Sequence, residues 1–570
     1  VIYLATRTSN IGLYNWVASD DIEVTVPQQS ANADLLETRF RQREVSVKDY
    51  AFGAKGDMNL STQAGTDDTA AFQKALDLAK PALASVNIFI PDGIYKMTSE
   101  LKFYSNTTIT CGPNVRVVRA HAGYLAMNGN RSTETSPSTA PGYTGRGNIS
   151  IYGGDWDGNG GNQSSKAAVF HLGHGDKINF IGALVRDCAN SHHIEFNACK
   201  NIYVENCKFL GWFGSTDDFN EAIQLDISKG TPTIGPGDNT PCENVWILNN
   251  HFGDSGTTGA NHIARAFGSH TSTIGVWHKN VNFIGNTVKD CLSFAVRLYS
   301  TKNFTVTGNN FVNVGAGINV RTPIVGTGTT EDTKDVNGVQ TGGSQTCEGG
   351  DISGNVFEGG MTAGRCIELY GETSGRVKGV SVANNTITLS RSTSINDAIC
   401  LHQTEDSTVI GNRIYGAFGA AVIVKSSSYN NTIFGNTMDD IGRNGIHVED
   451  SFYTSINGNT ISRVQNSGIY FSAGEMITIA GNTISGANGV AGSGNTYNHV
   501  RGVSATLRVS ITGNTFRNYS TTYVTTHAVY LTNTVQDVAM TGNMGAGFTL
   551  FVGTTDAARK VTTGNLGTVA

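Results

Sequence analysis

The stretch NEAIQLDISKG, residues 220–230, sets two carboxylates around an apolar, strand-like run: Glu221 and Asp226 flank Ala222, Ile223 and Leu225. Paired carboxyl groups are the minimum equipment for cutting a glycosidic bond, one protonating the leaving oxygen while the other attacks or activates water. Glu221 and Asp226 are therefore the candidate catalytic pair. Asp217 and Asp218, in GSTDDFNE just ahead of the strand, are fallback acids. A solvated surface strand can carry the same residue types, so the pair gains weight only if ligand-binding side chains line up beside it.

What lines up is set by a repeat. The pattern apolar–x–Gly/Asn–Asn–x–apolar returns as ILNNHF at Ile247, FIGNTV at Phe283, VTGNNF at Val306, ISGNVF at Ile352 and INGNTI at Ile456, among others. Asn286 to Asn309, Asn436 to Asn459 and Asn459 to Asn482 are each 23 residues apart, and longer gaps such as Asn206 to Asn250 hold insertions. A short β-type run at a 23-residue step predicts one coil of a right-handed, single-stranded parallel β-helix, stacked at about 4.8 Å per coil. The recurring Asn can ladder through its side-chain amide, and the Gly supplies an unusual φ at the corner.

A second strand follows each Asn by about 10–14 residues and reads small–apolar–x–apolar–x: HIEFN, AIQLD, AVRLY, GINVR, CIELY, AICLH. Its x positions face solvent. Stacking the coils gives one outward column of Glu195, Gln224, Arg297, Asn319, Glu368 and Cys400, and a second of Asn197, Asp226, Tyr299, Arg321, Tyr370 and His402. The coil RAFGSHT slots in with Phe267 under Ile223, which sets Gly268 beside Gln224 and His270 beside Asp226. Gly268 leaves a dip in the wall. The expected substrate-binding set is His270, Arg297, Tyr299, Gln224, Glu368, Glu195 and Tyr370, with the tyrosines as stacking faces. The bland reading makes Arg297 and Glu368 an ordinary surface ion pair. Asp155 and Asp157, in GGDWDGNGG, read as turn residues.

Bulk composition excludes some functions. A net charge of −6 with 15% charged residues gives no basic face for nucleic acid. No apolar run is long enough to cross a membrane. The nine cysteines show no CxxC and no zinc spacing and are expected to be free thiols; His262, His270 and His278 are not at a metal-ligand spacing, so neither metal nor cofactor is expected. TDDTAAFQKALDLAKP predicts a helix over about 67–80, N-capped by Thr66 or Asp67, with an apolar stripe of Phe72, Leu76 and Ala79 that covers the open end of the solenoid. The expected domains are a neck or linker over 1–47 joining something upstream, the β-helix over 48–545, and a short C-terminal segment over 546–570.

VKDYAFGAKGD, GTDDTAAFQKAL and NIFIPDGIYKM together resemble the opening of the pectate-lyase-like domain of bacteriophage tailspikes and capsule depolymerases. The resemblance covers residues 48 to about 545. It implies a homotrimer on the virion tail, made in the host cytoplasm and acting at the bacterial surface, joined to other tail proteins through its N-terminal side. It implies hydrolysis of a capsular or surface polysaccharide. The same scaffold also hosts polysaccharide lyases and binding-only adhesins, and both remain alternatives.

Overall fold

The protein was analysed as a computed structural model describing residues 6–7, 14–15 and 44–567, apart from 81–84, 131–139, 164, 215–219, 327–330, 391–395, 490–496, 520–522, 549 and 555–559. From Glu44 onward the named strands pair in parallel, each with its counterpart one coil earlier and one coil later. The architecture is the expected parallel β-helix. A typical coil carries three strands. Lys200–Glu205, Lys208–Phe213 and Glu221–Asp226 make up one such coil. The third strand of successive coils forms the sheet that matters for function: β1 Phe170–Gly173, β2 Ile194–Asn197, β3 Glu221–Asp226, β4 Arg265–Gly268, β5 Phe294–Tyr299, β6 Ala316–Arg321, β7 Ile367–Tyr370 and β8 Ile399–His402.

Inward positions stack like on like. Ile194, Ile223, Phe267, Val296, Ile318, Ile367 and Ile399 follow one another in register and are all fully buried. Phenylalanines stack between coils as well, Phe209 on Phe252 at 5.0 Å and Phe311 on Phe357 at 4.8 Å. The helix runs Thr69–Leu76 and continues as a 3-10 turn, Asp77–Ala79, with Phe72, Ala75, Leu76 and Ala79 buried on the end of the solenoid. Its N-cap position is Asp68, one residue later than expected. Asp67 still accepts a hydrogen bond from Thr69 N, while Asp68 turns away to accept from Lys55 N and Gly56 N.

The repeated asparagines form a buried ladder. Asn309 Oδ1 accepts from the backbone N of Asn286 at 2.8 Å and from its Nδ2 at 3.2 Å; Asn309 Nδ2 donates to Phe283 O and to Asn355 Oδ1, both at 2.9 Å. The same pattern runs from Asn250 through Asn543 to Asn565. On the outside of the first strand column, Asp176, Lys200, Glu243, Lys279, Lys302, Glu348, Lys378 and Glu405 stack in register. Their charges mostly alternate, with Lys200 and Lys279 at 3.5 and 3.4 Å from Glu243 and Lys378 at 3.0 Å from Glu405.

Both expected ends of the solenoid shift outward. Glu44–Ser46 already pairs with Val86–Ile90, ahead of position 48. Beyond 545, Leu550–Thr554, Lys560–Thr563 and Leu566–Gly567 pair with the preceding coil, where TTGN carries Asn565 into the ladder without the apolar flanks of the other copies. All nine cysteines are free thiols, and all but Cys111 are buried.

The ladder predicts a local cost. Asn309→Ala strands the Asn286 amide N–H and the Phe283 carbonyl in the interior, at about 1–3 kcal/mol each. Native-state hydrogen exchange at Asn286 should quicken accordingly, by one to three orders of magnitude; unchanged protection would show that the ladder contributes nothing there.

Candidate functional site

The sheet of β1–β8 presents two outward columns. Glu195 pairs with Gln224 and Asn197 with Asp226; Gln224 pairs with Gly268, and Gly268 with Arg297. Arg297 continues to Asn319 and Glu368, and Tyr299 to Arg321, Tyr370 and His402. The columns read from the repeat therefore hold, with Gly268 in its expected place between Gln224 and Arg297. β1 adds His171 against Glu195. The sequence carried that signal, because VFHLG has the same apolar–x–apolar pattern as HIEFN.

Glu221 occupies a different place from the one expected. Ala222 and Ile223 both enter the core, so strict alternation breaks at the start of β3 and Glu221 sits at the corner of the coil. It has no exposed surface. Its Oε1 accepts from Arg265 Nη1 at 3.0 Å, its Oε2 from His270 Nδ1 at 3.1 Å, and its carbonyl lies 2.7 Å from His192 Nδ1. Burial would push this carboxyl up. The His270 hydrogen bond and charge, with Arg265 and His192, outweigh it and hold the group far below the usual carboxylate range. Glu221 cannot reach a ligand, which removes it as half of a catalytic pair and leaves it as an anchor for His270.

His270 is also displaced. The β4 ladder ends at Gly268, after which Ser269 Oγ bonds the backbone of Tyr299 and the chain changes direction. His270 comes to lie against Glu221, with Nε2 3.3 Å from the Gln224 side-chain amide. Burial disfavours its charge, but the bond to Glu221 prevails and raises its pKa. The contact is made through Gln224 Nε2, so at this distance it is a hydrogen bond only when His270 Nε2 carries no proton. Thr271 takes the position beside Asp226 instead: its hydroxyl donates to Asp226 Oδ1, which also accepts from Ile227 N at 3.1 Å.

The two remaining acids are set apart in protonation. The Asp226 carboxyl is pushed up to about 6, first by burial and then by the charge of Glu195, against the pull of the Thr271 hydrogen bond and His270. Glu195 is held down at about 2, because the charge and hydrogen bond of His171, at 2.9 Å, outweigh burial, helped by His192 and His270. Tyr124 stacks on His171 at 4.8 Å. Glu195 and Asp226 are diagonal neighbours, one strand and two residues apart, or about 8 Å between backbones. Asn197 Oδ1, directly under Asp226, is buried without a hydrogen-bond partner.

Three other expected contacts are corrected. Tyr299 is fully buried, donating to Asp332 Oδ2 and accepting from Ile324 N, both at 2.9 Å. It anchors a wall and offers no stacking face. Glu368 pairs with Arg365 and accepts from Asn319 Nδ2 at 2.8 Å, so it is not the partner of Arg297. Tyr370 has both faces taken, by Arg321 at 4.4 Å and by the His402 ring at 4.0 Å. Asp217 and Asp218 lie outside the described residues. Asp155 and Asp157 sit in the second strand column, ion-paired to Arg116.

Two insertions close the C-terminal edge of β3–β6. Lys229 Nζ donates to Ser272 O at 2.8 Å and to Glu331 O; Ser272 Oγ donates to Asp332 O at 2.7 Å; Asn239 meets Thr273 at 2.9 Å and Val336 O at 3.4 Å. Asp226 thus lies in a floor of parallel strands beside a standing wall. A floor of polar side chains beside a wall is an arrangement that could hold a chain molecule and fix its orientation. Among the described residues no cluster of three His, Cys, Asp or Glu is placed to hold a metal ion.

Comparison with known proteins supports the fold. Residues 379–547 match the family described as periplasmic copper-binding protein (NosD). The chain is 25% identical over 436 residues to plasmin and fibronectin-binding protein A of Streptococcus pneumoniae, covering 70% of this chain and 58% of that one. The crystal structure of this surface adhesin, PfbA, superposes with a TM-score of 0.54 at 22% identity, over 77% of this chain and 92% of that one. A 66-residue segment is 39% identical to the K3-specific capsule depolymerase 1 of Klebsiella phage KP32, covering 11% of this chain and 8% of that protein. A pre-neck appendage protein of Bacillus phage B103 is 25% identical over 283 residues, covering 44% of this chain and 29% of its own length. The chain spans little more than half the length of the adhesin and less than a third of the two phage proteins.

The acid pair carries a pH signature. Asp226 has its folded pKa raised above the ordinary 3.8, so the folded state holds that proton more tightly. Its contribution to stability is greatest at low pH and declines as pH rises between about 4 and 6. Asp226→Asn should abolish that decline, and carboxyl 13C chemical shifts should place Asp226 near 6 with Glu195 still ionised at pH 4. A midpoint near 4 for Asp226 would mean that its enclosure is not maintained in solution.

Proposed function

We propose that the groove over β2–β6 binds a bacterial capsular or surface polysaccharide and hydrolyses it, with Asp226 as proton donor and Glu195 as the second carboxylate. One observation carries this reading: two diagonal acids on adjacent strands have their proton affinities pushed apart, to about 6 for Asp226 and about 2 for Glu195, so that only Asp226 holds a proton in mildly acidic solution. Enzymes that need an acid and a base at one pH separate paired carboxyls in this way. Asp226 gives its proton to the leaving oxygen, while Glu195 attacks the anomeric carbon or activates water on the other face of the sugar. Glu221 acts through His270, favouring its charged form and holding it beside Gln224.

The same geometry supports hydrolysis over β-elimination. A lyase needs a side chain that can take a proton. Here the bond to Glu221 favours the protonated form of His270, and the Tyr299 phenol is pushed up by burial and the nearby Asp332 and is already hydrogen-bonded. A non-catalytic carbohydrate-binding adhesin is the second reading, favoured by the extent of the match to the pneumococcal adhesin. The short capsule-depolymerase match and the phage appendage match favour a spike on a virion tail acting outside the bacterial cell. In that setting the chain works as a homotrimer, joined to other tail proteins on its N-terminal side.

Incubation with purified capsular polysaccharides tests the activity. Hydrolysis frees a reducing end and adds one water per bond cleaved, elimination frees a reducing end with an ultraviolet-absorbing double bond on the other fragment and no added water, and an adhesin binds without release. Asp226→Asn and Glu195→Gln should each lower turnover by at least about 10² with folding intact. Wild-type turnover should fall as pH rises above about 6, where Asp226 loses its proton. Near-normal activity in both variants would place the chemistry elsewhere. Sedimentation of a single 60.4 kDa chain at micromolar concentration would overturn the trimer.

A further inference from the structure

Arg265, Arg297 and Arg321 lie on three consecutive coils, β4, β5 and β6. Arg265 is committed to Glu221 at 3.0 Å. Arg321 covers the Tyr370 ring and comes within 3.9 Å of Glu372. Arg297 is half-buried, with its guanidinium 5.2 Å from the Tyr299 ring centroid, and it has no ion-pair or hydrogen-bond partner among the described residues. Enclosure and the neighbouring Arg265 disfavour its charge more than the nearby Glu221 carboxylate, itself bonded to Arg265 and His270, favours it. A partly desolvated cation without a direct ion-pair partner costs stability until an anion meets it.

Gly268, beside Arg297, has no room for a side chain: a Cβ there would stand 2.4 Å from the Arg297 carbonyl oxygen and 3.1 Å from its Cβ, so glycine is what lets the two strands approach this closely. On the same face the acids Glu195, Glu221 and Asp226 stand with His171, His270, Arg265 and Arg297, and both histidines have raised pKa values.

We propose that Arg297 receives an anionic group on the sugar chain, so that the glycan bound here is acidic, carrying a uronate carboxylate or a sulfate ester. The planar guanidinium fork matches such groups with two parallel hydrogen bonds. This rests on the groove being the glycan site, and it makes Arg297 a specificity residue rather than part of the bond-cleaving pair.

Saturation-transfer NMR with the full chain tests it, using methyl glucuronoside, methyl glucoside and glucose 6-sulfate at low salt. At least one anionic sugar should bind about tenfold more tightly than the neutral one. Which of the two binds better identifies carboxylate or sulfate as the group read. The preference should vanish in Arg297→Gln and survive in part in Arg297→Lys. Equal binding of all three sugars by the wild-type chain, or an anionic preference unchanged in Arg297→Gln, overturns the proposal. An intact anionic preference without release of reducing ends removes hydrolysis and leaves the proposal standing. Cleavage of a polysaccharide without any anionic preference does the reverse.

Discussion

The side-chain amide of Asn309 completes hydrogen bonds for three successive coils: it accepts from the coil before, donates back to that coil's strand, and donates on to the coil after. Its place is a corner, where the backbone turns away from the sheet and its N–H would otherwise point into an apolar interior. An unmet buried N–H is among the more expensive local defects a fold can hold. Repeating the solution from Asn250 to Asn565 makes every corner alike. It fixes the step at which coils stack, and with it the alignment of outward side chains from one coil to the next. The groove exists because that alignment is kept over the coils from His171 to His402.

Local polar chemistry then decides what the aligned columns can do. Glu195, Glu221 and Asp226 lie within one pair of coils, yet each has a different fate. Glu195 is tied to His171 and stays ionised. Glu221 is enclosed by Arg265 and His270 and is withheld from any ligand. Asp226 has a threonine hydroxyl, one backbone N–H and the nearby His270 against burial and the charge of Glu195, and is left reluctant to ionise. Counterions, more than residue type, distribute the roles, and those counterions come from coils on either side of the acids they serve.

That division explains what could be read from the residues alone. The period of two along each strand and the fixed step between coils are properties of the backbone, so the columns from Glu195 to Cys400 and from Asn197 to His402 were legible, as was the place of Gly268 between Gln224 and Arg297. Glu221 was misplaced because two consecutive inward residues, Ala222 and Ile223, break the alternation at a corner, and nothing in the residue types announces a corner. His270 and Thr271 exchanged places because pairing stops at Gly268 and an insertion begins. Tyr299 looked like an exposed platform until the loop around Asp332 was laid over it, a contact spanning more than thirty residues. The final coil escaped notice because Asn565 lacks the apolar flanks by which the other copies are recognised.

Identical rungs carry a hazard that a globular core does not face: a coil could dock one rung too far and still satisfy most of its backbone. The outward column from Asp176 to Glu405 bears on this. In register, nearly every neighbour has the opposite sign. Skipping one rung would set Lys200 against Lys279 and Glu348 against Glu405. Exposed pairs of this kind contribute little to stability individually. As a vernier along the axis they act together, penalising misthreaded chains during assembly while leaving the finished solenoid scarcely more stable than it would be without them.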